Sequence, residues 1–266
     1  MQHSRFSRPI LVLAAVWAAA AFGLRSLILK RSLDVNGILM ADSHALLWTV
    51  LFSLVGFAVL AALCFRLNRL PGTNACFSEN SLGVIPALIA ATLLFFGCLF
   101  RLLDEGEVSE PAQKLCEILG IMAAAASALT ALTRSRLGRT AFWTQLPLAL
   151  YCGVSLVLRF RVWSHDPMII DIAPQLLALV CMMLTSVLLL AFPLSAGHRR
   201  STVLFGLMAF IFAMMAMPDY LLAIKQSRAD MLIFLALSIW CGSHAYLLQR
   251  ARVQVETAPD ETPAGE

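Results

Sequence analysis

Eight apolar stretches, each close to twenty residues long and separated by short charged loops, occupy nearly the whole of this chain. A hydrocarbon core about 30 Å thick, crossed at 1.5 Å per residue, needs roughly 20 residues per helix. Eight such crossings consume about 160 residues of the 266 present and leave only connections between them. The composition agrees: 60% of residues are hydrophobic and 14% charged, against about half and a quarter in soluble domains. The chain is therefore expected to be an all-α polytopic transmembrane bundle. Strands of a membrane barrel would alternate in polarity over about ten residues, whereas 88–100 and 177–192 are apolar on every side.

The spans are expected at 9–29, 44–64, 82–102, 112–132, 140–160, 167–191, 202–222 and 230–250. Residues 1–252 form one eight-span domain on this reading, and 253–266 an acidic tail with Pro259 and Pro263 and too little apolar surface to fold. Arg5 and Arg8 ahead of an Ala-rich run imitate a secretory signal. Apolar residues continue past Arg25 to Leu29, so an uncleaved span is expected. Asp166-Pro167 is expected to open the sixth helix as N-cap and first residue. Pro174 and Pro218 are expected to kink helices or end them early. The seven cysteines include no Cys-x-x-Cys pair and read as small core hydrophobes.

Eight spans place both termini on one side. With the N-terminus inside, Arg5, Arg8, Arg66, Arg69, Arg134, Arg136, Arg139, Arg199, Arg200, Arg250 and Arg252 are cytoplasmic, eleven of twenty basic residues, leaving nine outside. Positive residues favour the inside. N-in and C-in in a bacterial cytoplasmic membrane is the orientation expected. A net charge of +4 spread over span ends is a pattern of membrane anchoring and argues against a nucleic-acid partner.

No expected span carries Asp, Glu, Lys or Arg near its centre, which weighs against a coupled transporter with a charged midplane site. Polar residues enter instead from one side: Arg25, Arg101, Glu117, Arg159, Asp171, Gln175 and Asp219 all fall in the outer half. The densest segment is Arg159-Phe160-Arg161-Val162-Trp163-Ser164-His165-Asp166-Pro167, with Asp171 following. Its carboxylates would sit at a helix N-terminus, near Arg159 and Arg161 in sequence. The candidate binding residues are thus Arg25, Arg101, Glu117, Arg159, Arg161, Asp166, Asp171 and Asp219. If they converge they make a pocket for a lipid headgroup, phosphate or carboxylate; if not, they are interfacial residues that snorkel or cap.

The odd-numbered spans also end in a basic residue followed by an acid, as in Arg25 to Asp34, Arg101 to Asp104, Arg159 to Asp166 and Arg228 to Asp230. Local pairing across each interface explains this as well as a duplicated helix pair would. Cys241-x-x-His244 puts two ligand-type residues on one helical face, but two ligands do not make a metal site. Gly-x-Ser-x-Gly, His-Glu-x-x-His and phosphate loops do not occur. No catalytic residue, cofactor or metal is expected. The expected partners are the lipid bilayer and either a lipid headgroup or another membrane protein.

The run from Trp163-Ser164-His165-Asp166-Pro167 through Asp171, with Gln175-Leu176-Leu177-Ala178, Gly197-His198-Arg199-Arg200 and the loop Asp34-Val35-Asn36-Gly37-Ile38-Leu39, resembles a group of multi-pass membrane proteins of anaerobic Gram-positive bacteria. The resemblance implies the same topology and carries no activity. The functional expectation is a ligand-binding, sensing or partner-scaffolding module of the outer leaflet. Small-molecule transport is the alternative, and a membrane enzyme acting on a lipid-linked substrate comes third.

Overall fold

The computed structural model describes residues 7–32, 45–67, 83–104, 110–164, 172–222 and 227–250. Among them lie eight long helices: α1 (Ser7–Ser32), α2 (Ala45–Phe65), α3 (Val84–Leu103), α4 (Pro111–Leu137), α5 (Ala141–Trp163), α6 (Ala173–Leu190), α7 (Arg199–Leu222) and α8 (Arg228–Arg250). All eight contain a segment long and apolar enough to cross a bilayer. The chain is a multi-pass helical membrane protein. Hydrocarbon offers the backbone no partner, so each crossing must close its own hydrogen bonds, and an apolar run of this length has only the helix available.

The helices follow the expected spans with three departures. α4 continues to Leu137 and ends in a short 3-10 turn, Gly138–Thr140, before α5. α6 begins at Ala173, so Pro174 lies in its first turn instead of kinking its interior. Proline costs nothing there, because the first turn has no carbonyl to bond its missing N–H. Asp166-Pro167 lies outside the described residues, as do 34–39 and the tail 253–266. α7 runs through Pro218 to Leu222, so that proline does not stop the helix; neighbouring helices supply the packing that tolerates the lost bond.

After α6 the chain turns with Ser195 in the left-handed region (φ 59°). Ala196 N–H donates to Ala191 C=O at 3.0 Å and Ser195 N–H to Phe192 C=O at 3.0 Å. This is the Schellman arrangement that satisfies a helix's last carbonyls.

Each helix from α3 to α8 packs against its successor, and α8 packs back against α3, which closes a ring of six. α1 lies outside the ring against α7, and α2 lies against α1 and α7. Burial follows this order: 78% of the α7 span is buried but only 17% of α2. α2 is held by Trp17 of α1, which stacks on Phe52 with ring centroids 4.8 Å apart and lies directly over Gly56. Met215 and Met217 of α7 are buried in the core.

Candidate functional site: an ion-paired end of the ring

The topology alternates helix direction, so the C-terminal ends of α1, α3, α5 and α7 meet the N-terminal ends of α4 and α8 at one end of the bundle. Each of those six helices contributes one side chain to the ion pairs there. Asp230 of α8 accepts a hydrogen bond from Arg159 Nη2 at 2.6 Å and lies 3.1 Å from Arg101 Nη1. The same Arg101 nitrogen lies 3.2 Å from Glu117 Oε1. α3, α4, α5 and α8 are thereby tied by a continuous network of two guanidinium and two carboxylate groups. A separate pair joins α1 to α7, with Arg25 Nε donating to Asp219 Oδ1 at 2.9 Å.

Aromatic rings set the floor of this network. The Arg159 guanidinium stands 5.4 Å from the centre of the Phe234 ring, and Arg159 Nε donates to Ser155 Oγ at 3.3 Å. Tyr220 packs its ring 5.5 Å from Phe234, within electrostatic reach of Asp230, Arg159, Asp219 and Arg101. Deeper in the ring, Cys98 Sγ lies 3.6 Å from Tyr151 Oη. Gly120 makes that approach possible, since a Cβ there would meet the Cys98 sulfur and the Tyr151 ring.

The charges are buried: Arg25, Glu117, Arg159 and Asp219 are each no more than 6% exposed. Removing such groups from water costs several kcal/mol per ion, which only close pairing offsets. Three guanidinium groups (Arg25, Arg101, Arg159) face three carboxylates (Glu117, Asp219, Asp230), so the assembly is electrically balanced. Its hydrogen bonding is incomplete, because Arg101 Nε, Glu117 Oε2 and Tyr220 Oη have no hydrogen-bond partner. One acceptor and two donor-type groups are thus held ready in one charged, water-poor layer.

Of the candidate residues, Arg25, Arg101, Glu117, Arg159 and Asp219 come together at this end. Arg161 is exposed and joins none of these pairs, since two residues past Arg159 the helix turns the side chain to the opposite face. Asp166 and Asp171 lie outside the described residues, as does His165. Gln175 is buried. The pairing also differs from the local pattern read along the chain. Arg159 bonds Asp230, 71 positions away, and Arg25 bonds Asp219, 194 positions away.

Asp230, Tyr220 and Tyr151 were not among the candidates. Asp230 carried a usable signal, an acid in the first turn of the last span, at the end where the basic residues of α3 and α5 emerge. The two tyrosines carried none, being aromatic residues in apolar runs. Among the described residues, no group of three His, Cys, Asp or Glu is arranged to hold a metal. Cys241 is buried in the core, and His244 Nδ1 donates to the Trp240 carbonyl one turn back at 2.8 Å.

No protein-family model, curated protein or solved structure matches the chain.

Proposed function

We propose that this membrane protein is a binding or sensing module of one leaflet, and that the ion-paired end of the ring is its site. The observation that carries the reading is the convergence of six ionisable side chains from six helices, with hydrogen-bonding valences left over among them. Charged residues within membrane spans are costly and mark functional sites by default. The orientation that positive-inside bias favours puts this end on the outer face of a bacterial cytoplasmic membrane.

Electrical balance narrows the ligand. An anion would have to displace Asp230 or Glu117 from guanidinium groups they already neutralise. A ligand that offers an acceptor to Arg101 Nε and Tyr220 Oη and a donor to Glu117 Oε2 would leave the balance unchanged. Zwitterionic groups have that character, whether on a lipid headgroup or an amino-acid-like solute.

The test is a thermal-stability screen of the purified protein against phosphatidylethanolamine, phosphatidylglycerol, isoprenoid phosphates and amino acids, repeated for Glu117→Gln. Ligand at 100 times its dissociation constant should add about 2.7 kcal/mol. A zwitterion that stabilises wild type and not Glu117→Gln supports the site. Stabilisation by every lipid alike, unchanged in the variant, would reduce the network to a structural lock.

A further inference from the structure

Within the same ring lies a second polar layer, about 14 residues or 21 Å along α5 and α8 from the first. Gln145 of α5, Ser127 and Thr130 of α4, Thr144 of α5, and Trp240 and His244 of α8 line a cavity of about 20 Å³. That volume holds roughly one water-sized group. Between the two layers stand Leu148, Tyr151 and Phe234, all fully buried.

Gln145 is the anomaly. Its side chain is buried, the residue being only 6% exposed, yet neither Oε1 nor Nε2 has a hydrogen-bond partner. A buried amide left unbonded costs about 1–3 kcal/mol for each unsatisfied group. The neighbouring hydroxyls do not relieve it: Thr130 Oγ1 lies 2.8 Å from Thr144 Oγ1, and Thr144 donates to the Ala141 carbonyl at 3.1 Å. Their protons are engaged, while their oxygens retain capacity to accept.

We propose that Gln145 and its cavity are a binding seat for one uncharged O–H or N–H group that both accepts and donates hydrogen bonds. The group accepts from Gln145 Nε2 and donates to Gln145 Oε1, and where it carries a second proton, as water and a primary amide do, it donates to a threonine oxygen as well. An ammonium or metal cation fails because it offers Nε2 no acceptor. A carboxylate or phosphate fails because it offers Oε1 no donor. A water molecule and the hydroxyl or amide head of a solute share the required chemistry. The seat is independent of the ion-paired end and stands whether or not that end binds a ligand.

The experiment uses the full chain in nanodiscs. Gln145→Met keeps the side chain's length and removes its polarity, so the sign of its effect is decisive. An occupied seat makes the variant melt lower than wild type; an empty one makes it melt higher or unchanged, because an unsatisfied amide has been removed. Thr130→Val completes a double-mutant cycle. Non-additive losses place both residues on one occupant, and additive losses overturn the shared seat.

The source of the group is read with methanol and formamide as probes. Trp240 lines the cavity beside His244, with ring centroids 4.3 Å apart and planes tilted by 39°, so its emission, isolated by subtracting Trp240→Phe, reports on the cavity. A saturable change lost in Gln145→Met identifies a solute head; a lower melting point with no saturable change identifies water. A higher or equal melting point with no saturable change overturns the proposal. If Gln145→Met does not fold, the probe titrations of wild type and Thr130→Val decide, and the lack of a saturable change counts against the seat.

Discussion

At one end of the ring guanidinium groups meet side-chain carboxylates, whereas at the other Arg199 and Arg200 reach main-chain carbonyls. Arg199 donates to Leu248 C=O at 2.7 Å and to Gln249 C=O at 2.9 Å, and Arg200 to Leu67 C=O at 2.8 Å. Both arginines sit in the first turn of α7, where a helix dipole disfavours positive charge. The antiparallel arrangement compensates by placing the carbonyl end of α8 alongside, whose last acceptors have no donor in their own helix. The two solutions differ in kind. A backbone carbonyl cannot be protonated or exchanged at ordinary pH, so the Arg199 grip is fixed architecture. Carboxylates with spare oxygens, shared between two arginines, can change partners, so the end that carries them is the one suited to respond to something.

The contrast is broken most severely at Asp230. Asp230→Asn removes the charge that Arg101 and Arg159 share and leaves buried cations underneutralised, a loss of about 3–5 kcal/mol. Unfolding in mixed micelles measures it, and a loss under 1 kcal/mol would mean that the network contributes nothing to the fold. Arg199→Gln is the matching change at the other end. It weakens hydrogen bonds to carbonyls, so the expected loss is smaller, about 1.5–3 kcal/mol. Equal losses at the two ends would mean that the carboxylate and carbonyl ends do not differ in kind. Arg161→Ala is the control on the same helix as Arg159. Its side chain is exposed, and a change within about 0.5 kcal/mol is expected. A larger effect would show that Arg161 belongs to the site after all.

Five of the candidate residues lie at the paired end, and their partners there are not their neighbours in the chain. Arg25, Arg101, Glu117, Arg159 and Asp219 were legible because charge inside an apolar run is rare and its position within the run gives its depth. Partners were read from neighbours in the chain, since Arg101 precedes Asp104 and Arg228 precedes Asp230. The folded network joins residues 71 and 194 positions apart, and no local spacing encodes that. Gln145 was illegible for a related reason. One amide in an apolar helix reads the same whether its partners are present or absent.

What the sequence determined alone is the number of helices, their approximate extents, and the end of the bundle on which most of the buried charge collects. These follow from the bilayer as solvent: its thickness sets the length of each run, and its lack of hydrogen-bonding partners forces the run to be helical. Tertiary structure alone decided that α3 to α8 close into a ring, that α2 stays outside it, and that Asp230 and Tyr220 complete the charged layer. Those outcomes depend on which faces of already-formed helices fit together. In a membrane, lipid tails are as apolar as the helices themselves, so hydrophobicity cannot make that choice and close packing with polar pairing must.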